Sequence, residues 1–277
     1  MRFRKYATAL LAASVLTGAS AAHAALTPID VTWNPSAAGI TNAPAFTFNN
    51  VLLNTFANID VNGAGTSFTE QGFLRMSTFF LGSTPTSIPN AGFPSGTPYS
   101  LYIGFSAAGV QSPGVPSTGH FTALNYSLFG AAGVTNFTQN ADGTFSASGA
   151  PAVTLATGSL ASPGATILTQ DPVSGLLQPS AELTATFVPN AAFAGFFVSP
   201  PATAILDVTA AFTNTGTVVS QRSLGDAGTR LSLNGGGGNA TFAFAPVPEP
   251  DTYGMLLAGL GLFGFMARRK AKKTAEV

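Results

Sequence analysis

The sequence predicts an all-β, antiparallel, sandwich-like body between two helical ends, and three observations lead there. Glycine and proline number 31 and 19 among 277 residues, while charged residues make up only 8%. Short runs alternate apolar with small or polar residues at a period of two. Gly, Pro and Asn separate those runs. Long helices need continuous stretches of strong helix formers, whereas aromatic and β-branched residues broken by turn formers suit strands. The apolar fraction of 45% argues for a folded core rather than disorder.

Each run carries its own pattern. Ala45 to Leu53 reads AFTFNNVLL. From Thr55 to Val61, Thr55, Ala57, Ile59 and Val61 share one face and Phe56, Asn58 and Asp60 the other. In Tyr99 to Ser106, Leu101, Ile103 and Phe105 share a face; in Ala181 to Val188, Leu183, Ala185 and Phe187 do. Ala204 to Asn214 and Asn239 to Ala245 continue the pattern, the latter as the last strand. Breakers fall at 82–98, 112–119, 140–143, 162–164, 200–201 and 235–238. The expectation is one β-rich domain over 25–245, with a weak division near Ser162 to Gly164 and a flexible turn at Gly235 to Gly238.

Charge is concentrated at the ends. Between residues 25 and 247 the basic residues are Arg75, Arg222 and Arg230, against eight carboxylates, for a formal charge of −5. No basic stripe exists for nucleic acid, so no nucleic-acid partner is expected. The chain has no cysteine, which excludes disulfides, thiol nucleophiles and cysteine-based zinc sites.

The N-terminus reads as a cleaved secretion signal over 1–24. Arg2, Arg4 and Lys5 precede an Ala/Leu-rich run, and Ala22-His23-Ala24 supplies small residues at −3 and −1. Cleavage is expected between Ala24 and Ala25, with signal peptidase as the partner.

The C-terminus, over 246–273, has three parts in order. Val247-Pro248-Glu249-Pro250 is held extended by its prolines, which suits a protease. Tyr253 to Ala267 carries no charge. At about 1.5 Å per residue this helical segment reaches about 22 Å, short of a hydrocarbon core of about 30 Å, so it is built for transient inner-membrane insertion. Arg268, Arg269 and Lys270 then hold that end in the cytoplasm. This ordered set resembles the PEP-CTERM sorting domain. The resemblance implies export across the inner membrane of a Gram-negative bacterium and recognition by an exosortase. It further implies removal of the tail and a final place on the cell surface or in the extracellular matrix. The stretch AFTFNNVLLNTFANIDVNGAGTSFTEQGFLRMSTFF (45–80) and YSLYIGF (99–105) resemble flocculation-associated PEP-CTERM proteins.

Several constellations bear on chemistry. Gly235 to Gly238 lacks the following helix and lysine of a phosphate loop. His120 has no carboxylate nearby in sequence to orient it and is expected at an exposed edge. Arg222, Asp226 and Arg230 flank a Gly-rich hairpin, where a local exposed ion pair is expected. Glu70 and Arg75 fall on opposite faces of a continuous strand; a bulge at Gly72 would relax that. Trp33, Tyr99, Tyr102 and Tyr126 are read as core or rim packing, with a sugar-stacking platform as the alternative.

No catalytic, cofactor-binding or metal-binding residue is assigned, and an irregular calcium site built from carbonyls is left open. The leading expectation is a non-enzymatic surface or matrix protein, structural or adhesive in flocculation or biofilm, whose partners are exopolysaccharide or copies of itself. The alternatives are a carbohydrate-binding module attached to exopolysaccharide and a secreted hydrolase with scattered carboxylates.

Overall fold

A computed structural model describes residues 27–86, 99–213 and 218–245. They lie within one compact unit, Leu26–Ala245. The signal segment 1–24, Ala25 and the sorting segment 246–273 lie outside the described residues.

Among the described residues fifteen strands follow in order. They are β1 (Val31–Trp33), β2 (Phe46–Phe48), β3 (Asn50–Val61), β4 (Ser67–Leu81) and β5 (Thr84–Pro85). Next come β6 (Ser100–Gln111), β7 (Ser117–Ala131), β8 (Asn136–Gln139), β9 (Phe145–Ser148) and β10 (Ala152–Gln170). The last are β11 (Leu177–Pro189), β12 (Phe197–Ser199), β13 (Leu206–Thr213), β14 (Val218–Ser223) and β15 (Thr229–Phe244).

The expected all-β antiparallel body is present, and its main sheet closes on itself. β3, β4, β6, β7, β10, β11, β13 and β15 each pair antiparallel with the next, and β15 pairs back to β3. The result is an eight-stranded up-and-down barrel. Closure removes the open edges that a flat sheet would expose, and eight strands leave an interior just wide enough for side chains or one small ligand.

The period-two faces read from sequence become the inside of this barrel. Thr55, Ala57, Ile59 and Val61 of β3 are buried inward. Leu183, Ala185 and Phe187 of β11 are buried in the same core. Apolar residues line the inside while Asn54, Thr69 and Gln71 stand on the alternate face.

Phe56 and Asn58 are buried although they point outward, at 9% and 2% exposure. The β8–β9 hairpin covers them. Phe137 of β8 stacks on Phe56 at 5.0 Å and on Phe73 at 5.1 Å between ring centroids. Arg75 lies over the Phe56 and Phe137 rings, 5.2 Å from each, and its Nη2 donates to the Thr135 carbonyl at 3.2 Å.

A second small sheet, β12-β1-β2, seals one end of the barrel. Trp33 on β1 is fully buried there. Its ring meets Phe48 at 4.8 Å, Phe196 at 5.2 Å and Phe242 at 5.7 Å. The Phe48 and Phe242 contacts are edge-to-face, a geometry that adds to the area term of burial.

Two expectations about breakers are corrected. Gly235 to Gly238 is not a turn: β15 runs through it from Thr229 to Phe244. The pairing with β3 shifts between Asn234 and Gly236, and Gly235 has φ +84°, so one bulge kinks the strand there. That kink lets β15 change partners, from β14 along Thr229–Leu233 to β13 along Gly237–Phe244. A Cβ on Gly238 would strike the Phe212 ring. Glycines here serve barrel closure.

Ser162 to Gly164 likewise divides nothing. It is an irregularity inside the continuous β10, where the pairing with β11 shifts on both sides of Ser162. A Cβ on Gly164 would overlap the Glu182 carbonyl.

Candidate functional site

Inside the barrel lies a cavity of about 110 Å³, partly open. Its lining extends from Phe187 and Phe242, beside the Trp33 cluster, to Gln111 at the opposite end of β6. The wall is overwhelmingly aliphatic and aromatic, and one carboxyl interrupts it. Glu70 on β4 shares the inward face with Phe68 and Leu74, and its cross-strand neighbours are Ile59 on β3 and Ala107 on β6. None of these can pair with a charge. The surface that Glu70 retains faces the cavity.

Among the described residues, no donor or cation reaches the Glu70 carboxyl. Burial in this apolar wall pushes its pKa up from 4.5 to about 7. Two of the other polar side chains of the wall, Tyr126 and Gln111, are committed elsewhere. The Tyr126 hydroxyl donates to the Thr186 carbonyl at 2.7 Å, which holds the phenol against β11. Gly158 makes room for it, since a Cβ there would overlap the Tyr126 ring. Burial, with the nearby Asp207 charge second, pushes the Tyr126 phenol well up. Gln111 Nε2 donates to the Gly65 carbonyl at 3.3 Å. Thr55 Oγ is buried in the wall without a partner.

The residues singled out from sequence are dispersed. Glu70 and Arg75 sit on opposite faces of β4 as their spacing requires, because β4 pairs with β6 without a shift across Gly72. His120 is exposed on β7, which pairs on both sides and is therefore not an edge strand. Trp33, Tyr99 and Tyr102 are buried, at 0%, 0% and 8% exposure, and Tyr126 lines the cavity, so these four rings do not form a platform facing solvent.

The expected hairpin around Asp226 is present, formed by β14 and β15. The expected pairing is corrected: Arg230 bonds Asp60, not Asp226. Its Nε and Nη2 reach the two Asp60 oxygens at 2.6 Å each, and Nη1 donates to the Asp142 carbonyl at 3.0 Å. Arg230 and Asp60 face each other across β15 and β3, a proximity that 170 residues of sequence separation conceal.

The interior role of Glu70 is the feature that sequence reading missed. The signal existed: in Phe68-Thr69-Glu70-Gln71-Gly72-Phe73-Leu74, alternation places Glu70 on the face of Phe68 and Leu74.

No curated protein and no solved structure matches the chain. The residues named for processing, Ala22, Ala24 and Ala25, Val247 to Pro250, and Arg268 to Lys270, lie outside the described residues. The sorting segment has a match of its own, to the family model of the PEP-CTERM protein-sorting motif over residues 246–270. That motif implies export and processing by an exosortase. A charge-poor all-β barrel followed by this tail is therefore the body of an exported protein, and the chain carries the PEP-CTERM protein-sorting motif.

Proposed function

We propose that the protein is a non-enzymatic component of the cell surface or extracellular matrix, with a structural, adhesive role in flocculation or biofilm. The observation that carries this reading is the sorting motif at residues 246–270, attached to a body poor in nucleophiles and general bases. Between residues 25 and 247 there is no cysteine, no lysine and one histidine.

The outward faces of the barrel strands support the same reading. They present hydroxyls and amides, such as Asn54, Thr69, Gln71, Thr157, Ser159 and Gln178, which hydrogen-bond to sugars or to other chains. Low charge lessens repulsion between copies. Signal peptidase and the exosortase act during export. Afterwards the barrel contacts exopolysaccharide or further copies of itself, outside a Gram-negative cell.

Deletion of the gene tests the proposal. Floc or biofilm cohesion should fall while total extracellular polysaccharide stays unchanged. Intact cohesion would remove the reading. Loss of polysaccharide with normal export machinery would instead favour a secreted enzyme.

A further inference from the structure

We propose that the barrel interior binds a small apolar amine, its ammonium group on the Glu70 carboxylate and its hydrocarbon against the inward side chains. The inference rests on an unmet electrostatic demand inside a built cavity. A carboxylate in an apolar wall is costly unless a cation or donors accompany it. Among the described residues, the cavity wall holds no Lys, Arg or His. Its remaining phenol and amide are engaged with Thr186 and Gly65. Thr55 Oγ adds a second unpartnered polar atom in the same wall. A barrel selected only for packing would place a hydrophobe at position 70, as it does at Phe68 and Leu74.

The chemistry of the group selects the ligand class. An ammonium brings both the opposite charge and three donors, which satisfies a carboxylate in one contact. A carboxylic acid would bring like charge. A pure hydrocarbon would leave Glu70 as it is. Size follows from volume. An apolar cavity of about 150 Å³ accommodates the six carbons of benzene, so about 110 Å³ encloses about four carbons, and the open side leaves room for the rest of a six-carbon chain. The lining around that volume is continuous from Glu70 towards Leu74 and Met76, which gives the hydrocarbon a place deeper than its head group.

Calorimetric titration of the processed protein, purified from producing cells, tests this with hexylamine, hexanoate and hexan-1-ol at about pH 8, above the Glu70 value of about 7. Hexylamine should bind at least about tenfold more tightly than hexanoate. The Glu70→Gln variant keeps the shape and removes the buried charge, so it retains the fold. It should lose hexylamine affinity by about tenfold while hexan-1-ol affinity changes little. Three results would each overturn the proposal: no binding of hexylamine, equal binding of hexylamine and hexanoate, or undiminished hexylamine binding by Glu70→Gln.

Discussion

Arg230 grips Asp60 through two parallel hydrogen bonds of 2.6 Å, joining the strand that closes the barrel to the strand that begins it. The pair is partly shielded, with 16% and 28% of the two side chains exposed. Bidentate, partly desolvated pairs hold more than ordinary surface pairs do. Asp60→Ala should therefore destabilise the protein by about 1–2 kcal/mol. Arg230→Ala should cost more, because it also releases the Asp142 carbonyl and with it the β8–β9 turn. Denaturant titration of both single variants and the double variant measures the coupling. A coupling near zero would mean that backbone pairing alone sets the seam.

The half-buried Glu70 carboxyl makes stability depend on pH. Its pKa is about 7 in the folded chain against 4.5 for the free group, so the folded state holds the proton more tightly. The stability this contributes is complete below about pH 4.5 and declines as pH rises towards 7, levelling above it. The pKa difference sets an upper bound of about 3 kcal/mol over the window, reduced where water in the open cavity screens the group. The cross-strand neighbours of Glu70, Ile59 and Ala107, do not titrate, nor do Phe68 and Leu74 on its own face, and the Tyr126 phenol in the same lining is pushed well above this range. Urea titrations from about pH 4 to pH 8 should show the decline in the natural protein and a flatter profile in Glu70→Gln.

Trp33 anchors the sealed end of the barrel. Its fully buried ring touches phenylalanines from β2, β4, β12 and β15, so its loss would leave a cavity that several elements share. Trp33→Ala should cost about 3–5 kcal/mol, read as a lowered thermal midpoint. Hydrogen exchange should quicken first in β1 and β2.

Gly158 permits the Tyr126 phenol to cross β10 and reach the Thr186 carbonyl. Gly158→Ala should displace that ring and cost about 1–3 kcal/mol by overpacking. Tyr126→Phe should cost less, about 1 kcal/mol, because it loses one hydrogen bond and keeps the ring. The order of these two effects in thermal melts is the check.

Replacing Pro248, Glu249 and Pro250 together by alanine should leave the chain uncut and held in the inner membrane. The expectation is that the apolar span and Arg268, Arg269 and Lys270 stop transfer by themselves, whereas Pro248, Glu249 and Pro250 are required for cleavage. Fractionation and mass determination of the tail distinguish the two states. Normal processing of the variant would show the motif to be a plain linker.

The sequence by itself determined the strands and the orientation of their faces. Local alternation is enough to place Thr55 and Ile59 on one side and Phe56 and Asn58 on the other, or Glu70 and Arg75 on opposite faces, because side-chain direction in a strand depends only on parity. It also carries the signal for export and exosortase processing, since the sorting motif is a linear segment of residues 246–270. Tertiary structure decided what parity leaves open: which face becomes the inside, and whether the sheet closes. Phe56 and Asn58 are buried only because a hairpin some eighty residues later lies on them, and Gly235 to Gly238 continue a strand because β3 and β13 flank it on both sides. Closure then enclosed Glu70. A carboxyl that alternation places on an apolar face becomes a charge without a partner only when seven other strands arrive around it, and no local pattern encodes that arrival.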